Sequence, residues 1–490
     1  MLMILQFSNT YMLPLTAISN LISLINNIFE SPILPESRYL IDKLFNFENK
    51  AQFHTICPNC NNYLGKKTEI GNEIYCNMCA SSINVSNLSS SKFFVILDPA
   101  KEISNLIQSH EDYYNYIVRE RLNETGEIKD IYDGYCYKKF VNNLSEHERN
   151  RYVTAVFNTD GAPRFESSQD SIWPIQIQIN ELPPQFRLKN VITCGMWFGK
   201  NKPEMNTFLH IFVKEMSMLN EKGIECTIHG EKRLLKLYML ICCVDAVARA
   251  PMQGLVQFNA YNSCSWCLHP GKWHDGCVRF PILHYRPIER DVVCTIINGE
   301  RAIKSGTVIM GIKNVTSLIN LPFFNIIDGF VPDYLHCYLA GVAKQITECV
   351  LKLLKRSDIE QLNSLLLEIK VPNQLCRLTR SLKDRHQWKA REWENWLLYY
   401  SVPLFGTVVN NEILQHWLLL AESLYGLLKT SLSIEELDKI DESLHKFVLG
   451  VETLYKKRAM TYNVHQLLHI SKSVYNWGPL WAHSTFPFES

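Results

Sequence analysis

An α/β core is the fold class this 490-residue chain predicts for its middle, and three observations predict it. Largely apolar stretches between Tyr152 and Asp245 run in the order strand, strand, strand, helix, strand; one of them alternates cleanly; and the first and last strands each run into an aspartate. The first strand is VTAVFNTDG, ending at Asp160-Gly161. In the second, WPIQIQIN, Ile175, Ile177 and Ile179 alternate with Gln176, Gln178 and Asn180, the period of a half-buried strand. The third is VITCGMWFG, from Val191 to Gly199. After Pro203, Phe208, Ile211, Phe212, Met216 and Leu219 recur at helical spacing until Gly223, and LLKLYMLICCVD then carries a more continuously apolar strand to Asp245.

A β-β-β-α-β order with carboxylates after the first and fourth strands is the arrangement of an RNase H-like core. Two acids on neighbouring strands can hold divalent metal ions, which position a water and a phosphodiester for in-line displacement. Taken singly, either aspartate also reads as a turn or cap residue. The length predicts two to four domains, and 47% hydrophobic residues are ample for their cores. A formal charge of +1 excludes a global basic field, so polyanion binding has to come from local patches. Arg377, Arg380, Lys383, Arg385, Lys389 and Arg391 stand beside Trp388 in RLTRSLKDRHQWKAR, and a second cluster is Lys456, Lys457 and Arg458. Cations with an aromatic ring suit phosphates and a stacked base, while a solvated helix face gives the same string.

The apolar N-terminus carries no basic residue before Arg38 and is broken by Asn9, Asn20 and Asn27, which makes it a poor signal peptide and no membrane span. Leu15, Ile18, Leu21, Ile22, Leu24, Ile25 and Ile28 read as a helix within an N-terminal segment of residues 1–50. The expected protein is soluble and intracellular.

Sixteen cysteines in such a chain predict metal sites before disulfides. Cys57 and Cys60 (CPNC) with Cys76 and Cys79 (CNMC) are two CxxC knuckles separated by fifteen residues, room for a short hairpin, so residues 51–85 predict a structural zinc ribbon. Four ligands leave no open position for catalysis. A looser cluster at residues 261–280 holds Cys264, Cys267, His269, His274 and Cys277, four of which could bind a second zinc. A helical region, residues 86–150, links the ribbon to the core, whose first part is residues 151–260.

Residues 281–475 carry helical periodicity, as in Leu335 to Leu354, Ile413 to Leu428 and Ile434 to Tyr455, and predict a large mostly α-helical insertion. Asp333 and His336 (DYLH) stand at i and i+3; a contact to an active site and an N-cap with a buried histidine both fit, the cap better. His465 and His469 lie four apart on a helix; the pair could bind metal, but with no third ligand nearby it reads as a packed face. Residues 476–490 return to extended character, with a candidate strand Leu480 to Phe486 followed by Glu489, where a third carboxylate would begin the next helix.

Several ordered blocks resemble a known family: TDGAPRFESSQDSIWPIQIQINELPP, the strand to Asp245 with ARAPMQGLVQFNAYNSCSWCLHPG, then DYLHCYLAGVAKQ, WKAREWENWLLYYS and YNVHQLLHISKSVYNWGPLWAHSTFPFES. Together, from about Leu40 to Ser490, they resemble the transposase domain of CACTA (En/Spm-like) DNA transposons and their animal relatives. The resemblance implies a DDE transposase, a metal-dependent nuclease and strand transferase of RNase H-like fold, interrupted by a helical insertion before its last acid. Asp160 and Asp245 resemble the first two metal-binding acids, and the third is Glu489 or, alternatively, Glu392 in KAREW. A DxxH element of this kind, here Asp333 and His336, is a feature of the group. Implied cofactors are structural Zn²⁺ and catalytic Mg²⁺ or Mn²⁺; the implied partner is DNA in the nucleus, with self-association open and no membrane. Because the sequence stops at Ser490, one residue past Glu489, the core's return is expected to be truncated, and a host-recruited, catalytically inactive DNA- or protein-binding module is the alternative.

Overall fold

The computed structural model describes residues 2–11, 13–29, 31–35, 37, 51–86, 92–121, 126–163, 171–199, 202–372, 375, 377 and 379–489. The chain divides into two compact units, Met1–Gln52 and Phe53–Ser490. In the first, Leu2–Thr10 and Leu15–Ile28 are helices, the second opening after Pro14, whose fixed φ and missing N–H suit a helix start. The Asn26 side chain both donates to and accepts from the backbone of Leu34, at 2.9 Å each way. Residues 38–50 of the predicted N-terminal segment lie outside the described residues.

In the second unit β1 (Ala51–Ile56), β2 (Tyr63–Lys66), β3 (Glu73–Tyr75), β4 (Ser82–Asn84) and β5 (Phe93–Leu97) come first, and the two-residue β6 (Glu127–Ile128) follows two short helices. The apolar run from Tyr152 forms β7 (Tyr152–Thr159), buried at every position, and the short β8 (Ala162–Pro163) leads to β9 (Ser171–Ile179) and β10 (Ile192–Gly199). The core helix Met205–Lys222 is capped by Glu204, which accepts the N–H groups of Asn206 and Thr207, and stops at Gly223 with φ 76°. A hairpin follows, β11 (Ile224–Ile228) and β12 (Glu231–Cys243), turning through His229 and Gly230, both at positive φ.

Beyond this lie the hairpin β13 (Lys272–His274) and β14 (Cys277–Arg279), the short β15 (Phe330–Val331), and β16 (Leu432–Ser433), which pairs with β6. The main sheet runs β11-β12-β7-β9-β10-β5-β1-β2. Neighbours β7, β9 and β10 are antiparallel, while β12 lies parallel to β7 and to β15. The Phe208, Phe212 and Met216 face of the core helix packs on the sheet against Phe94, Phe157 and Trp197.

The cysteine-knuckle region is not a separate layer. β10 takes β5 as an antiparallel neighbour, with Gly195 opposite Ile96, so β5, β1 and β2 extend the main sheet and only β3 and β4 stand apart. Periodicity cannot reveal that pairing, because register between distant strands is a tertiary property.

The predicted helical region contains Val292–Ser305, Arg356–Glu368, Asn411–Leu427, Ile434–Tyr455 and Tyr462–Trp477. The last four share a core with Trp393, Trp396 and Trp417, each buried, while Val292 of the first packs against the core of the main sheet. Ser433 and Glu436 exchange side-chain and backbone hydrogen bonds at 3.1 Å each, a capping box that fixes the start of the longest helix. The candidate strand Leu480 to Phe486 is not a strand: Leu480–Ala482 and Phe486–Phe488 are 3₁₀ turns. Pro479 and Pro487 lack ladder donors, and the end of β12 already pairs with β7 and β15. No described helix is long and apolar enough to cross a membrane.

Candidate active site and metal centres

Strand register brings the acids together. Cys242 on β12 lies opposite Phe157 on β7 and opposite Phe330 on β15. Three residues further along each chain stand Asp245, Asp160 and Asp333, so three carboxylates emerge from the same edge of adjacent parallel strands, which are about 4.8 Å apart in such a sheet. Asn158 fastens the first two strands at this edge, donating to the carbonyl of Cys243 at 2.7 Å.

Each acid also has local work. Asp160 Oδ1 accepts the Gly161 N–H at 2.6 Å, and Asp245 Oδ1 accepts the Ala248 N–H at 2.7 Å, capping the helix Ala246–Met252. Asp333 accepts the N–H groups of Leu335 and His336 and receives the His336 ring Nδ1 at 2.7 Å. Asp333 thus caps the turn that follows it, but His336 is half-exposed rather than buried and lies beside the acids. The other ring nitrogen of His336 lies 3.5 Å from Glu489 Oε1, and the Thr485 N–H donates to Asp333 Oδ1 at 3.2 Å, which folds the C-terminal turn over the strand ends.

Burial pushes the Asp160 carboxyl up, and the charge of Asp245 adds to it. Burial likewise raises Glu489, opposed by His336 and reinforced by Asp333. Burial works against the charge of His336, but its hydrogen bond to Asp333 and the charges of Asp333, Glu489 and Asp245 lift it to about 9. Burial opposes the charge of Asp333 too, and His336 holds it below the usual carboxylate range. Asp160, Asp245, Asp333, His336 and Glu489 therefore share one electrostatic neighbourhood, although no three of them bring ligand atoms within 4.8 Å of one another as the Cys/His sets do.

Glu392 is elsewhere engaged. It accepts the N–H of Lys389 at 2.8 Å and pairs through both its oxygens with Nε and Nη2 of Arg380, which holds it low against its burial. The stretch around it also departs from a nucleic-acid face. Arg385 pairs with Glu348 and Arg391 with Glu394, the latter lying 3.7 Å over the Phe486 ring. Trp388 is buried against Trp393 and Trp396, with no open face for a base. Arg377, Lys383 and Lys389 are exposed.

Cys57, Cys60, Cys76 and Cys79 converge, with Cys57 Sγ 3.5 Å from Cys79 Sγ and Cys60 Sγ 3.6 Å from Cys76 Sγ. Sulfurs around a tetrahedral zinc stand about 3.8 Å apart. The second set differs from the expected one: Cys264 and Cys267 meet His465 and His469. Cys264 Sγ lies 3.4 Å from His469 Nε2, Cys267 Sγ 3.3 Å from His465 Nε2, and the two Nε2 atoms are 3.4 Å apart. Tetrahedral zinc with sulfur and imidazole ligands requires about 3.5 Å for S to N and about 3.4 Å for N to N.

His269 is excluded because both ring nitrogens are used, Nδ1 by the Gly271 N–H and Nε2 by the Pro281 carbonyl. His274 and Cys277 face each other at the turn of the β13–β14 hairpin. Arg290 braces the CSWC loop through the carbonyls of Cys264 and Asn262, at 2.7 and 2.6 Å, and Arg249 lies 4.5 Å over the Trp266 ring. The HxxxH pair on one helix face reads from sequence as a packed face for want of a nearby third ligand, and the fold supplies the missing ligands from the distant CxxC.

Residues 125–274 form a transposase-like region, carrying Asp160, Asp245, Cys264 and Cys267. The family whose model they match is the Transposase family tnp2. No curated protein matches the chain.

Proposed function

We propose that this transposase-like chain cleaves and joins DNA phosphodiesters with divalent metal ions held by Asp160, Asp245 and Glu489 on an RNase H-like core with an α-helical insertion, as in the CACTA (En/Spm-like) transposases. The observation that carries the reading is the level placement of Asp160 and Asp245 on neighbouring parallel strands, with Glu489 brought to the same edge through His336. Carboxylate oxygens are the hard donors that Mg²⁺ and Mn²⁺ prefer, and the burial and the repulsion from Asp245 that raise Asp160 are both offset by a bound cation. Such ions would activate a water or a DNA 3′-hydroxyl and stabilise the leaving oxygen.

The protein's own part is positional. Asp245 is fixed by its helix cap and Asp160 by the Gly161 N–H, while Asp333 orients His336, whose charge draws in Glu489. The two Cys/His sets are assigned zinc, which closes the first knuckles and ties the loop after Asp245 to the helix that leads towards Glu489. A DNA substrate places the protein in the nucleus.

The test is Mn²⁺-dependent nicking of supercoiled plasmid by the purified protein beside Asp160→Ala and Asp245→Ala. Nicking by the parent and by neither variant is expected. Salt-sensitive DNA binding without nicking overturns the catalytic reading and leaves a binding module.

A further inference from the structure

The internal pairing of Arg380, Arg385 and Arg391 leaves open where the DNA backbone lies, and the hairpin that follows the CSWC loop supplies an answer. Lys272, Arg279 and Lys457, with His274, line one cavity of about 150 Å³ between the β13–β14 hairpin and the turn Lys457–Ala459. The main chain ties the two together, the Phe280 N–H donating to the Met460 carbonyl at 2.8 Å. Lys456 and Arg458 flank Lys457, all three exposed. Between Lys272 and His274 stands Trp273, with 60% of its surface open.

Two features set this patch apart from an ordinary solvated face. Arg279 Nε is buried without a hydrogen-bond partner, a guanidinium edge that an anion would satisfy. Lys456 ends the helix Ile434–Tyr455 at φ 71°, ψ 169°, a conformation that glycine adopts readily and that strains any L side chain. A lysine rather than a glycine there trades stability for a cation. The hairpin itself is stiff, turning through Asp275 at φ 48° and Gly276 at φ 80°, the Asp-Gly pair of a tight two-residue turn.

We propose that the hairpin Lys272–Arg279 and the loop Lys456–Arg458 form a DNA-binding patch. Lys272, Arg279, Lys456, Lys457 and Arg458 take consecutive phosphates, and Trp273 stacks on a base or sugar of the same strand. The proposal rests on the reading of the chain as a DNA-processing transposase and names the surface that reading lacked.

The experiment is fluorescence anisotropy with a labelled duplex and a labelled single strand over a salt series, using the full chain and three variants: Lys272→Ala with Lys457→Ala and Arg458→Ala; Trp273→Ala; and Lys456→Gly. Removing three phosphate contacts flattens the slope of log K against log salt by about three on a duplex, and Trp273→Ala weakens binding about tenfold, most on the single strand. Lys456→Gly binds DNA more weakly while melting at a higher temperature, a combination that a structural role does not produce. Lys439→Ala with Lys446→Ala, on the exposed face of the preceding helix, is the control and leaves binding unchanged. If the parent binds DNA and the triple variant keeps its slope and affinity, the patch is refuted while the functional reading stands. If the triple variant loses inorganic phosphate binding but not DNA binding, the patch is only a small-anion site and the proposal fails. A parent without salt-dependent DNA binding defeats the functional reading itself.

Discussion

Replacing His469 with alanine should remove one of two zinc ions and a large part of the protein's stability. Cys264 and His469 are 205 residues apart, so a metal joining them closes a loop of that length. The chain-entropy relation for cross-links gives about 5 kcal/mol of unfolded-state freedom removed by such a loop at 25 °C. The site's own geometry adds little strain to offset this, since its S to N and N to N separations already suit tetrahedral zinc. Zinc content by mass spectrometry should read two per chain for the parent and one for His469→Ala. Guanidinium unfolding followed by tryptophan fluorescence should place the variant about 5 kcal/mol below the parent. A chelator should then move the variant less than the parent, because only the first knuckle pair is left to strip. A parent holding one zinc, or a variant that loses one yet unfolds within about 1 kcal/mol of the parent, would refute the cross-link.

Three further outcomes are expected. A Cβ on Gly161 would sit 2.5 Å from the Trp173 ring, so Gly161→Ala should destabilise by about 1–3 kcal/mol and cut nicking by shifting Asp160, checked by melting and by plasmid assay. Glu489→Gln should abolish nicking, whereas Glu392→Gln should leave it intact and lower the melting temperature only slightly, since Arg380 stays solvated; the reverse pattern would make Glu392 the third acid. Burial lifts Glu181 from 4.5 to about 7 despite the donors Thr154 and Tyr137, so the folded state keeps a proton that the unfolded state releases. That contribution is complete below pH 4.5 and is lost as pH rises through about 7, a fall of about 3 kcal/mol in unfolding free energy that Glu181→Gln should remove.

The sequence made β7, β9, β10, the core helix and β12 readable because each is a sustained apolar or periodic run bounded by polar or turn residues, and Asp160 and Asp245 were readable as the ends of two of those runs. β11 escaped because five residues beside a turn carry little periodic information. The link from Cys264 to His469 escaped because local spacing says nothing about partners 205 residues away. In the basic stretch around Trp388 a related limit applies: composition counts cations, whereas the fold decides which meet carboxylates, as Arg380 and Arg385 do. Glu489 was placed by analogy with a strand that does not form, and it reaches the acid edge through a 3₁₀ turn held by Asp333 and His336 instead.

The pairing of β5 with β10 bears on how this protein can be taken apart. A cysteine knuckle strung on a tether could be exchanged as a cassette, but one whose neighbouring strands continue the central sheet cannot. Deleting the region before residue 100 would bare the β10 edge from Gly195 to Trp197, leaving unpaired backbone donors and acceptors next to an apolar face. Such a fragment should aggregate through that edge, so the strands around the cysteine knuckles act as an edge guard for the sheet.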